Sequence, residues 1–216
     1  MLSNPVHTQL IADSFSKAAA TYDAAASLQH RVGQELLNSL SDYSSDAKIK
    51  CIADIGCGTG HLTAQLAQLF NQATIYGIDL APGMIEHAAA GHQQHNVHWC
   101  VDNAENLSLA DNSIDLVYSN FTLQWCDLNA AMAQAARVLK KGSKLVFSCI
   151  TEPSLSQLKA AWVQVDAKQH INTFPSASAC KQVLADNNFT LVSYDTLHAI
   201  EQFRCVKDIL ANLHAI

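Results

Sequence analysis

Ile52-Ala53-Asp54-Ile55-Gly56-Cys57-Gly58-Thr59-Gly60-His61-Leu62 is the stretch on which the reading of the fold turns. An apolar run ends in three alternating glycines, and Leu62, Leu66 and Leu69 follow at helical spacing. A strand that turns on glycines directly into a helix is the opening of a doubly wound α/β sheet. Ligands of such sheets sit at that turn. Glycine lets the backbone reverse tightly there and keeps Cβ atoms out of a ligand's way.

Outward from this turn the same rhythm repeats. Apolar runs at 49–55, 74–79, 97–101, 114–119 and 144–150 read as strands. Between them Met84, Ile85 and Ala88, and then Met132, Ala136 and Leu139, mark helices. Gly142 is the expected cap of the last of these, with Lys140 and Lys141 complementing the negative helix end. Short strands alternating with helices predict right-handed βαβ units and a doubly wound, mostly parallel α/β sheet covered on both faces. Upstream, Leu28, Val32, Leu36 and Leu40 share one helical face, and a polar stretch, 41–48, separates them from the sheet. Downstream, Leu155, Leu158, Trp162 and Val165 predict a helix, 176–186 another, and 191–200 an alternating strand. Val206, Ile209, Leu210 and Leu213 predict a final helix. The expected organisation is a single domain over 1–216 with an N-terminal helical lid of about 1–45.

Composition narrows the class. With 49% hydrophobic and 15% charged residues the chain is that of a globular protein, not a disordered one. A formal net charge of −6 argues against nucleic acid, whose phosphates call for clustered Lys and Arg. No apolar run reaches the roughly 20 residues that cross a bilayer, and Met1 to Pro5 lack a secretory pattern. The 7 cysteines form no C-x-x-C pair, so reduced thiols and a cytoplasmic setting are expected. His92, His95 and His98 have no Cys or carboxylate at ligand spacing, and no metal is expected.

The glycine spacing distinguishes between cofactors. A dinucleotide fingerprint, G-x-G-x-x-G, would place its third glycine at 61, where this chain has His61. The pattern here is G-x-G-x-G with Asp54 just before it, which resembles the first motif of class I methyltransferases. That resemblance implies S-adenosylmethionine as cofactor, spent as S-adenosylhomocysteine. It places Gly56, Cys57, Gly58 and Gly60 against the ligand and Asp54 near the methionyl ammonium. Asp79 ends the second strand, where a carboxylate accepts both ribose hydroxyls. After the third strand, Asp102 suits the adenine amino group and the amide near Ala104 a ring nitrogen. Leu80, Met84, Asn103 and Asn120 complete the implied cofactor set.

Four further segments carry a narrower resemblance, and together they span nearly the whole chain. They are Phe15-Ser16-Lys17-Ala18-Ala19-Ala20-Thr21-Tyr22-Asp23 with Leu28-Gln29, and Ser119-Asn120-Phe121-Thr122-Leu123-Gln124-Trp125-Cys126. The others are 155–162 with Val165-Asp166, and His170-Ile171-Asn172-Thr173-Phe174. With these the chain resembles the malonyl-acyl-carrier-protein O-methyltransferases of the biotin pathway. The resemblance implies methyl transfer to the free carboxylate of a malonyl thioester on acyl carrier protein, or on coenzyme A. A carboxylate is ionised near neutral pH, so no general base is needed. The implied catalytic residues are Tyr22, Gln124 and Trp125, with Tyr22 also closing a lid over the cofactor. Lys17, Arg31, Lys159 and Lys168 are either a carrier-protein patch or a solvated face. Two departures stand out. Family members often have Arg just before the Phe matching Phe174, where this chain has Thr173. They also continue past the position of Ile216 into a last strand, so the chain is expected to be C-terminally short. Two other functions fit the same residues: methylation of a small free carboxylic acid or quinone precursor, and cofactor binding without catalysis.

Overall fold

In the computed structural model the five apolar runs become β1 (Cys51–Ile55), β2 (Thr74–Asp79), β3 (Val97–Val101), β4 (Ile114–Asn120) and β5 (Leu139–Ser148). They pair in the order β3-β2-β1-β4-β5, and every pairing is parallel. The helices are α1 (Pro5–Ala18), α2 (Tyr22–Ala25), α3 (Ser27–Asn38), α4 (His61–Leu69) and α5 (Pro82–Gly91), then α6 (Leu128–Val138), α7 (Ser156–Val163), α8 (Ala177–Asp186) and α9 (Val206–Ala215). The structure describes residues 5–43 and 48–215; parts of the expected lid and polar stretch, 1–4 and 44–47, lie outside them.

Side chains alternate across a strand, so β1 feeds two cores. Ile52, with Ile75, Leu116 and Tyr118, packs against Leu37 of α3 and Leu66 and Ala67 of α4. Ala53 and Ile55, with Ile78 and Val117, face Met132 and Val138 of α6 and Leu184 of α8. Each such fully buried large side chain contributes about 1.5–3 kcal/mol relative to exposure. Two caps fix the helices on the second face. Asp127 accepts from the amides of Asn129 and Ala130 at α6, and Ser176 Oγ from Ala179 N–H at α8. Trp99 of β3 lies over Gly77 and beneath Gly60; a Cβ at either glycine would come within 2.5 to 2.6 Å of its ring.

The sheet order reverses at β1, with β2 on one side and β4 on the other. That is the switch point at which doubly wound sheets open a crevice beyond the strand C-termini. The glycine turn sits there, tied down by Gly56 N–H and Cys57 N–H donating to Ile78 O at 2.7 and 2.9 Å.

Two expectations are corrected. Gly142 does not cap α6: the helix stops at Val138, and Leu139 turns extended (φ −69°, ψ 136°) to pair with Ile114. Between that pair and Leu116↔Lys144 the strand bulges, and Gly142 takes φ 81° inside the bulge. Lys140 therefore does not serve the helix dipole; its Nζ meets Asp115 Oδ1 at 2.7 Å. Residues 191–200 form no strand. Alternation makes a strand only where an edge pairs and one face is covered. Here Val192 and Ile200 are each 86% exposed, and Lys181 lies over the Tyr194 ring at 3.9 Å.

Candidate functional site

A cleft of about 780 Å³, counting its space open to solvent, lies at the C-terminal ends of β1, β2, β3 and β4. Its polar half is built from Gly56, Gly58, Asp79, Leu80, Asp102 and Asn103. Its other half is apolar, with Ile11, Ala12 and Phe15 from α1 beside Phe121, Trp125 and Cys126 beyond β4.

Asp79 organises the polar half. Its Oδ2 accepts from Gly58 N–H at 2.9 Å and its Oδ1 from Ala81 N–H at 2.8 Å. Asp102 likewise accepts from the amides of Asn103 and Ser108, at 2.9 and 2.7 Å. Glu105 Oε1 accepts from Asp127 N–H at 2.9 Å, which fixes the loop beyond β3 against the start of α6.

Burial and neighbouring carboxylates set the electrostatics of the site. Burial raises the Asp79 carboxyl against the pull of its backbone donors. Asp54 is pushed up to about 7 by burial and then, against the Thr63 hydroxyl, by the charge of Asp79. Burial and then Asp79 also raise the Tyr22 phenol to about 12 and the Cys57 thiol well above its ordinary value. Cys126 rises to about 12 through burial, then Glu105 and Asp79. Each shift favours the protonated, uncharged form of its group.

The N-terminal helices close one side. Asn120 Nδ2 donates to Gln29 O at 2.9 Å and Tyr118 Oη to Gly33 O at 2.9 Å, fixing α3 to β4. Thr59 Oγ1 of the glycine turn donates to Asp23 of α2 at 2.7 Å, and His30 Nε2 lies 3.3 Å from the same carboxylate. His30 stacks on His61 at 4.2 Å, and His61 is held below its ordinary range by burial, then by His30. The residue that breaks the dinucleotide pattern thus belongs to the contact between lid and turn. Phe15 meets the Tyr22 ring at 6.3 Å and the Trp125 ring at 5.4 Å, edge to face.

Of the sequence candidates, Tyr22, Gly56, Gly58, Asp79, Leu80, Met84, Asp102, Asn103, Ala104, Asn120 and Trp125 line this one cleft. Four do not. Asp54 lies behind the turn, its Oδ2 accepting from the Thr63 hydroxyl at 2.5 Å. Cys57 is buried with its thiol toward Gly58 O, and Gly60 faces Trp99. Gln124 turns back to donate to Phe121 O at 2.7 Å and leaves a buried, unpartnered Oε1. Sequence reading missed the α1 wall, although Thr8, Ile11, Ala12 and Phe15 fall at i, i+3, i+4 and i+7, the spacing of one helical face.

The profile described as "Methyltransferase domain" matches residues 53–147. The malonyl-[acyl-carrier protein] O-methyltransferase of Hahella chejuensis is 43% identical over 168 residues, 77% of this chain and 59% of that protein. The protein of that name from Serratia marcescens is 35% identical over 192 residues, 88% of this chain and 72% of that protein. The chain belongs to the malonyl-[acyl-carrier-protein] O-methyltransferase family. It spans less than two thirds of the first of these relatives. Among solved structures, the YcgJ protein of Bacillus subtilis superposes with a TM-score of 0.57 at 22% identity, covering 71% of this chain and 68% of that one. That likeness carries the fold alone, a parallel Rossmann-like α/β sheet. Within the family frame, Thr173 is exposed beside the buried Phe174.

Proposed function

We propose that the chain transfers a methyl group from S-adenosylmethionine to the free carboxylate of a malonyl thioester on acyl carrier protein, in biotin precursor synthesis in the cytoplasm. The observation that carries this is the cleft itself, a glycine turn beside buried carboxylates joined to an aromatic lobe under one lid. Fit supports the donor. A Cβ built at Gly58 meets nothing within 4 Å, so a ligand can lie directly on that backbone. Asp79 and Asp102 set carboxylates on the cleft lining, which suits a ligand with a sulfonium and an ammonium.

When bound, S-adenosylmethionine supplies an electrophilic methyl: a carboxylate oxygen bonds it as the methyl–sulfur bond breaks, and sulfur keeps the electron pair. The protein's own task is alignment and exclusion of water. Asp79 holds the glycine turn and offers its remaining acceptor capacity to ribose hydroxyls. Tyr22, a phenol up to about pH 12, serves as a hydrogen-bond donor and not as a base. Phe15 and Trp125 form the aromatic wall of the acceptor lobe. The test is incubation of the chain with the donor and malonyl-coenzyme A or malonyl-carrier protein, with product mass read out. A gain of one CH2 on the malonyl group supports the proposal. Methylation only of free acids or quinone precursors, or donor binding without any transfer, overturns it.

A further inference from the structure

Phe15 stands where the lid and the acceptor lobe meet. Its ring packs with Ala19, Ala81 and Met84, which belong to the lid and to the donor side of the cleft. It also meets Trp125 edge to face, with the rings at 84° and their centroids 5.4 Å apart. At that separation the two rings are in contact, so they form one continuous wall. The wall cannot yield easily, because the next residue anchors α1. Gly83 N–H of α5 donates to Ser16 Oγ at 3.1 Å. A Cβ at Gly83 would come within 2.7 Å of the Ser16 carbonyl oxygen, so the two backbones already touch. The Phe15 ring is thereby held at a set distance from Asp79, Leu80 and Ala81, the segment that precedes α5.

We propose that Phe15 is a specificity-determining residue for the acceptor, closing the lobe against thioesters branched at the carbon next to the carboxylate. The inference rests on the methyl transfer proposed above. A methyl branch that points at this aromatic wall meets it, whereas an unbranched malonyl CH2 does not. A single methyl or methylene in such a site changes kcat/KM by about 10–200-fold. Replacing Phe15 by alanine removes the ring and leaves room for that methyl.

The experiment compares malonyl- with methylmalonyl-coenzyme A on the wild type, Phe15→Ala and Phe15→Leu. It measures methyl transfer and also calorimetric binding of each thioester to the S-adenosylhomocysteine complex. Wild type should prefer malonyl by about tenfold or more. In Phe15→Ala that preference should collapse to within about threefold in both readouts, mainly through a gain with methylmalonyl, and Phe15→Leu should fall between. S-adenosylhomocysteine should still bind all three, more weakly where the ring that packs on Ala81 and Met84 is lost. An unchanged preference in Phe15→Ala that still binds S-adenosylhomocysteine overturns the inference alone. If Phe15→Ala does not fold, Phe15→Leu with wild-type preference overturns it equally. A wild type that binds S-adenosylhomocysteine but methylates and binds neither thioester overturns the proposed function, and this inference with it.

Discussion

Asp79 accepts two backbone amides before any ligand arrives, so its side chain is held in place rather than ordered on binding. Asp79→Ala loosens the turn and removes a charged acceptor. Titration calorimetry should show S-adenosylhomocysteine weakened by about 1–3 kcal/mol; equal affinity would mean the ribose is held elsewhere. Asp54 makes a prediction about pH. Its folded-state pKa, about 7, is raised above the ordinary carboxylate value. Its contribution to stability is therefore present at acid pH and is lost as pH rises through about 7. A cationic ligand favours the carboxylate, so binding expels a proton, and affinity for S-adenosylmethionine should rise from about pH 6 to 8. In Asp54→Asn both trends should flatten, in calorimetry and in thermal melts. A wild-type affinity independent of pH would refute the coupling.

At the scale of elements, α1 is held by a close backbone contact, so Gly83→Ala should push it off α5. Overpacking of this kind costs about 1–3 kcal/mol, and a denaturant melt would show it; unchanged stability would mean that α1 shifts freely. What the sequence disclosed divides along the same line between local and distant contacts. The turn at Gly56 to Gly60 and the strand-end position of Asp79 are local features, and both were legible. The face Thr8, Ile11, Ala12 and Phe15 was visible as a period, but nothing local says which surface it covers. Residues 191–200 carried a strand's alternation, yet alternation is silent about whether an edge pairs with it. Gly142 looked like a cap because helix ends and bulges both use a glycine at positive φ, and the pairing of Leu139 with Ile114 decides between them.

Taken as a whole, the molecule divides into a well-packed sheet with its helices and an exposed stretch after α8. Limited proteolysis should cut within 190–205 well before 49–150, because residues there lack regular structure and Val192, Leu197 and Ile200 are exposed. Peptide mass mapping reads this directly, and early cuts in the sheet would contradict the division. At saturating donor, kcat should be flat between about pH 6 and 8, because an ionised carboxylate needs no base. An ionisation in kcat that vanishes in a single His variant would refute it. The chain's three tryptophans sit in three different settings. Trp99 lies beneath the glycine turn, Trp125 is 37% exposed on the cleft wall, and Trp162 stacks on His170 at 4.0 Å. The protein therefore carries its own optical reporters. Occupancy of the cleft should change Trp125 emission and its access to iodide, while Trp162, outside the cleft lining, serves as an internal reference that needs no attached dye.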